Sequence, residues 1–226
     1  MSLKSRLIAQ CAGGFGVAVA MLFLPAGTLK FWEAWVFLGS TFLPMFIFSV
    51  YYFKHDPELV ERRLRRREKV KEQKVVMKLV YVIFVVALLI PGLDHRFGWT
   101  RELVGTVPLW LRIVAQALVL GGYLMSLLVV AVNRFASRTI QVVAGQKVIS
   151  GGPYALIRHP MYAGILVMWL SASMALGSYV ALPFFALLVP LIVFRLLNEE
   201  KVLKQELSGY KEYCQKTRFR LVPYVW

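Results

Sequence analysis

Residues 75–93 read VVMKLVYVIFVVALLIPGL. The run is apolar with no clear polar face, and a helix that is apolar all round belongs in lipid or in the core of a large protein. Its length is about the 20 residues a helix needs to cross a bilayer's hydrocarbon layer. The stretch before it, residues 54–74, reads KHDPELVERRLRRREKVKEQK. That segment is too charged to enter the bilayer. It is expected to be a helical, solvated connector lying against anionic headgroups.

Working outward, five more apolar blocks appear: about Leu7–Leu24, Trp32–Phe53, Leu109–Val132, Met161–Leu176 and Tyr179–Leu197. The first is ended by Pro25 and Gly27. Trp32, Trp35, Tyr51 and Tyr52 edge the second as interfacial anchors. Only Gly177 and Ser178 separate the last two, which predicts a tight antiparallel hairpin. The fifth block is short and the sixth ends in charge, so this hairpin is not expected to span symmetrically. The fold class is therefore all-α, a multi-pass bundle of about six spans. The opening MSLKSR and its apolar run lack a convincing cleavage site and are read as a retained first helix.

Composition agrees. The chain has 226 residues, 58% of them hydrophobic, and a mean hydropathy of +0.62. A net charge of +15 would suggest nucleic acid in a soluble protein. Here most of the charge flanks apolar blocks, as the positive-inside rule describes. With the N-terminus inside, all but Lys30, Arg96, Arg101 and Arg112 of the 27 basic residues fall on the cytoplasmic side. Both termini are then cytoplasmic, and a prokaryotic plasma membrane is the expected location. Cys11 and Cys214 make no metal-binding or disulfide pattern, and no metal is expected.

Two stretches break the pattern of an ordinary bundle. Residues 133–164 read NRFASRTIQVVAGQKVISGGPYALIRHPMYAG, a loop that is long for a compact domain. Pro160 suits the first position of the fifth helix, and the bare amides of that helix start suit an anion. Arg158 and His159 would add to it. The same residues also fit a basic, proline-started flank. The second stretch begins VFRLLNEEKV at residue 193. Arg195 and Glu199 are four apart and share a helix face, and ionisable groups at membrane depth are functional candidates. Glu200 is read as their solvated neighbour. Beyond it, LSGYKEYCQKTRFRLVPYVW alternates apolar and basic positions like an interfacial helix. Arg218 and Arg220 are expected to anchor it to headgroups.

Taken together, GGPYALIRHPMYAG, the hairpin with LGS at its turn, R-x-x-x-E-E-x-x-L and LSGYKEY…TRFRLVPYVW resemble the isoprenylcysteine carboxyl methyltransferase family. Phospholipid N-methyltransferases share a looser form. The resemblance covers residues 133–226 as a methyltransferase core, and residues 1–132 match only as apolar spans. It implies S-adenosylmethionine as donor, in a cytoplasmic pocket roofed by the long loop and the C-terminal helices. By motif, the cofactor contacts would be the strand-like Gln146, Lys147, Val148 and Ile149, then Tyr154, His159, Pro160, Met161, Tyr162 and Glu199. Many members carry His where this chain has Gln146. Arg195 would clamp the substrate's carboxylate, with Glu199 as the second residue at the reacting centre.

A lipidic or prenylated small-molecule acceptor follows. A carboxylate acceptor is ionised at neutral pH and needs no general base, which fits a chain without a Ser-His-Asp arrangement. An amine acceptor is the alternative, but Arg195 favours a carboxylate. Met161, Met168 and Trp169 could line a lateral opening or simply pack the bundle. A transporter or a scaffold is the competing class. The first four apolar blocks hold almost no charge with which to build a transport path.

Overall fold

A computed structural model describes residues 2–64, 71–135, 142–143 and 145–226, with the backbone alone at 71 and 72. The described residues form ten α-helices and no strand. They are α1 (Leu3–Ala26), α2 (Trp32–His55), α3 (Pro57–Leu64), α4 (Lys71–Phe97), α5 (Trp99–Leu103), α6 (Leu109–Val132), α7 (Pro160–Ala175), α8 (Leu182–Ala186), α9 (Leu188–Glu206) and α10 (Tyr210–Lys216). Five segments are long and apolar enough to cross a membrane: Leu3–Ala26, Trp32–His55, Gln73–Phe97, Leu109–Val132 and Leu182–Glu206. The fifth apolar block of the sequence, α7, has 16 residues. At about 1.5 Å per residue it is roughly 24 Å long, short of a hydrocarbon layer of about 30 Å. The protein is a multi-pass, all-helical membrane bundle.

Local chemistry sets the helix ends. The Ser2 side chain accepts the Ser5 amide at the start of α1. Gly27, at φ 65°, closes α1 by donating its own amide to Phe23 and Leu24, a left-handed turn that glycine adopts without strain. Pro160 opens α7, where its missing N–H costs nothing. The hairpin after α7 turns at Gly177, φ 73°, but helix resumes only at Leu182 and breaks again at Leu187. Pro190 accounts for that break. In one continuous helix its ring would clash with the Ala186 carbonyl four residues back. The basic connector is helical over α3 and again from Lys71, and its residues 65–70 lie outside the described part.

The main core gathers Leu22, Phe31, Leu38, Val119, Phe185 and Leu188 from α1, α2, α6, α8 and α9. Beside it, α6 and α7 touch backbone to backbone. A Cβ at Gly122 would lie 2.4 Å from the Gly164 carbonyl oxygen, and one at Gly164 would lie 2.6 Å from that of Gly122. Outward-facing apolar side chains such as Leu24, Leu43, Phe46 and Tyr81 cover the lipid-facing side.

The two ends of the bundle differ. At the end remote from the basic connector, Glu33 pairs with Arg112. Gln116 donates through one amide nitrogen to Glu33 O and Ala175 O, both at 3.0 Å. Buried Asp94 accepts from the Thr100 amide at 2.7 Å and from the hydroxyls of Thr100 and Ser178. These groups tie the short loops together. The sequence had suggested spans almost free of polar groups. Glu33, Asp94, Arg112 and Gln116 sit toward the helix ends on this side, where each meets another of them, Thr100, Ser178 or a backbone carbonyl of Val107, Glu33 or Ala175.

Candidate active site

At the other end, the chain leaving α6 builds a wall from Asn133 onward. The Asn133 carbonyl oxygen Oδ1 accepts the Phe135 amide at 3.0 Å. This orients the side-chain amide, whose Nδ2 donates to the Tyr154 hydroxyl at 2.9 Å. The Tyr154 oxygen is an acceptor in that bond, so its own O–H is left to donate elsewhere. Burial pushes the Tyr154 phenol up to about 12, against the opposing hydrogen bond from Asn133, so it stays protonated. Tyr154 rides on a 3₁₀ turn, Gly152–Ala155, entered through Gly152 at φ 60°. The Tyr213 hydroxyl holds that turn by donating to Tyr154 O at 2.7 Å.

After this turn come Arg158 and His159, and both are buried. Neither is a solvated flank or a free cation awaiting an anion. Arg158 Nε donates to Glu200 Oε1 at 2.6 Å, and its Nη1 donates to the carbonyls of Thr217 and Arg218. His159 Nε2 lies 3.3 Å from the same carboxylate oxygen. The other Glu200 oxygen receives Arg220 at 3.1 Å and Lys204 at 3.4 Å. Glu200 is 2% exposed, which corrects its reading as a solvated neighbour. A buried carboxylate needs paired charges and donors, and here four side chains supply them.

The tail is corrected for the same reason. After α10 it folds back, and the amides of Arg158 and His159 donate to the carbonyls of Phe219 and Arg220. Arg220 is committed to Glu200 and stacks over Trp226, 5.0 Å from the ring centroid. It is not a headgroup anchor.

These elements enclose a cleft of about 800 Å³, mouth included. Gln146, Lys147, Val148, Ile149, Tyr154, His159, Pro160, Met161, Tyr162 and Glu199 all line it. Residues 146–149 have no regular secondary structure, since no strand lies beside them to pair with. Gln146 turns its side-chain oxygen back onto the Val143 amide at 3.1 Å. Asn133, Phe135, Arg158, Val202, Leu203, Leu207, Tyr210 and Tyr213 also line the cleft, beyond the residues inferred from sequence. Part of this was legible. Val202 and Leu203 stand three and four residues after Glu199, on its helix face, and Tyr210 and Tyr213 are the two tyrosines of the GYxxY motif.

Arg195 does not line this cleft. It borders a second cavity, mostly apolar, among α4, α6, α7 and α9, of about 1180 Å³ with its mouth. Met77, Val80, Leu127, Ile165, Met168, Trp169 and Ile192 line it, with Arg63 and Arg195 the cations among the described residues. Met161 and Tyr162 line both spaces. The Tyr162 hydroxyl donates to Glu199 Oε2 at 2.6 Å. Arg195 donates to Gln73 Oε1 at 3.1 Å and interacts with Tyr162 as well. So Arg195 and Glu199 share a face of α9, yet they border different chambers, with Tyr162 at the junction.

A cleft lined by polar and apolar groups beside a mostly apolar cavity, with Met161 and Tyr162 in the wall of both, suits two reactants of opposite solubility. Residues 110–205 match the model of the isoprenylcysteine carboxyl methyltransferase (ICMT) family. Among curated proteins, the Delta(14)-sterol reductase of Mus musculus is 33% identical over 91 residues. That match covers 39% of this chain, which spans only 22% of the reductase's length. Among solved structures, the eukaryotic intramembrane Ras methyltransferase ICMT superposes with a TM-score of 0.60 at 15% identity, over 97% of this chain and 77% of that one. Residues 110–205 thus match the isoprenylcysteine carboxyl methyltransferase family in sequence, and nearly the whole chain matches the fold of the solved Ras methyltransferase.

Proposed function

We propose that the protein is an integral membrane methyltransferase that uses S-adenosylmethionine to methylate the carboxylate of a prenyl-cysteine-like or other lipidic acceptor. The observation that carries this reading is the meeting of the two chambers at Met161 and Tyr162. One holds a carboxylate, Glu199, and the other a guanidinium, Arg195. The cleft fits the donor's chemistry. Glu199 is a partner for an ammonium, and Tyr154 has an O–H to give. The donor, when bound, supplies an electrophilic methyl group.

The chain's own residues have a short list of tasks. Arg195 holds the acceptor carboxylate through its planar fork. Gln73 fixes one arm of that fork, and Tyr162 steadies Glu199. The apolar walls at Met168 and Trp169 keep water from the acceptor's tail. Because a carboxylate is already nucleophilic at neutral pH, alignment is the main contribution, and it can supply on the order of 7 kcal/mol. The basic connector then lies on anionic headgroups, with cleft and termini on the cytoplasmic side.

An amine acceptor is less compatible, because Arg195 would repel its charged form. The sterol reductase likeness suggests a second reading, a hydride transfer to a flat lipid. A dinucleotide hydride donor would bring a diphosphate. Among the described residues of the cleft, the Arg158 guanidinium is drawn to Glu200, which leaves Lys147.

The test is calorimetry on detergent-purified protein with S-adenosylhomocysteine and, separately, with reduced nicotinamide dinucleotide. Binding of the first and not the second is expected. No binding of the first at millimolar concentration would overturn the reading. Methyl transfer to prenyl-cysteine analogues and to phosphatidylethanolamine then chooses the acceptor. Arg195→Ala should raise the acceptor KM and leave donor affinity intact, while Glu199→Gln should do the reverse.

A further inference from the structure

Tyr210 stands in the first turn of α10, immediately after Gly209 at φ 80°. Its ring packs with Val148, Tyr154, Leu203, Leu207 and Tyr213 into the apolar flank of the cleft. The residue is 5% exposed and lines the cleft. Its hydroxyl is buried and has no hydrogen-bond partner among the described residues. The neighbouring tyrosines differ. Tyr213 donates to Tyr154 O and Tyr154 accepts from Asn133. A buried phenol without a partner loses the hydrogen bonds it would make in water, a cost that native interiors rarely leave in place.

The surroundings of this hydroxyl indicate what it could receive. Burial holds the phenol protonated, well above the ordinary phenol range, and the charges of Glu200 and, more weakly, Cys214 and Glu199 add to it. Glu200 is filled by Arg158, His159, Lys204 and Arg220. Glu199 has one oxygen on Tyr162 and lines the cleft. Glu199 and Tyr210 line the same cleft, and a ligand group there that satisfied both the carboxylate and the phenol oxygen would carry positive charge and more than one N–H. An ammonium has three.

We infer that Tyr210 is a further donor-binding residue, whose phenol oxygen accepts a hydrogen bond from the ammonium group of the donor's amino-acid end beside Glu199. This deepens the proposed function and rests on it. The residue then acts on affinity for one end of the donor, not on the acceptor or on methyl transfer itself.

Two ligands separate the ends of the donor. S-adenosylhomocysteine carries the amino-acid end, and 5′-methylthioadenosine keeps the nucleoside and thioether without it. Calorimetry on Tyr210→Phe in detergent should show S-adenosylhomocysteine bound roughly five- to tenfold more weakly and methylthioadenosine unchanged. The ligand-free melting temperature should stay level or rise, since the unpartnered hydroxyl is gone and the ring is kept. Equal losses for both ligands would overturn the amino-acid-end contact. Unchanged affinity for both would overturn any contact. If the unaltered protein binds neither ligand, the proposed function fails first.

Discussion

Asp94 and Glu200 are both buried carboxylates, at opposite ends of the same bundle, and they are satisfied in opposite ways. Asp94 takes only neutral donors: an amide and two hydroxyls, from Thr100 and Ser178. Those partners lie in the short helix α5 and the turn after α7, which close the bundle, so the cluster fastens one end. Glu200 takes cationic donors from Arg158, Lys204 and Arg220, with His159 beside them. Those residues come from the loop before α7, from α9 and from the tail, so this cluster shapes a cleft. The contrast separates burial that only closes a fold from burial that holds a site.

The largest expected effect comes from Glu200→Leu. It leaves the Arg158 guanidinium buried without its carboxylate, and breaking a buried pair from one side costs about 3–5 kcal/mol. Thermal unfolding should show that loss, and S-adenosylhomocysteine binding should vanish with it, because His159 loses its partner. A variant that melts early but binds normally would break the contrast. Asp94→Ala comes next, at about 1–3 kcal/mol, since its donors lose their acceptor in a buried place. Here the melting temperature should fall while donor affinity in the folded protein stays level. A parallel loss of affinity would mean that the remote end also shapes the cleft.

Gln73→Leu is smaller and more selective. It removes the acceptor that fixes Arg195, so the acceptor KM should rise by about fivefold, the worth of roughly one hydrogen bond. Donor affinity measured by calorimetry should not move.

The last effect is confined to alkaline solution. The unfolded chain releases the Tyr154 proton near 10, and the folded chain keeps it until about 12. Stability from this group is therefore complete below pH 10 and is lost between 10 and 12. Burial shifts Tyr210 and Tyr213 in the same direction. A pH series of melting temperatures should fall steeply in that window, and less steeply for Tyr154→Phe.

The sequence carried the bundle because lipid imposes a length and an apolarity that any reader of residues 75–93 can see. It carried the cleft-lining residues because motif spacing keeps Tyr154, His159–Tyr162 and Glu199 in register. It did not carry Glu200. Two adjacent glutamates at the end of an apolar block look alike, and which one is buried depends on the tail folding back 20 residues later. Gln73 was hidden for a related reason. It stands in a run of charges, and only the packing of α4 against α9 turns it inward onto Arg195. The separation of Arg195 and Glu199 into two chambers is likewise a property of what packs between them, Tyr162, and not of their spacing.

The contact between Gly122 and Gly164 has a consequence for movement. With each backbone already against the other's carbonyl, α6 and α7 can neither approach further nor slide without collision. They form the stator of the machine, and the start of α7, which bears Pro160, Met161 and Tyr162, is held with them. Any widening of the apolar cavity therefore falls to the opposite wall, α4 and α9, so that Arg195 moves while Pro160, Met161 and Tyr162 on α7 stay still.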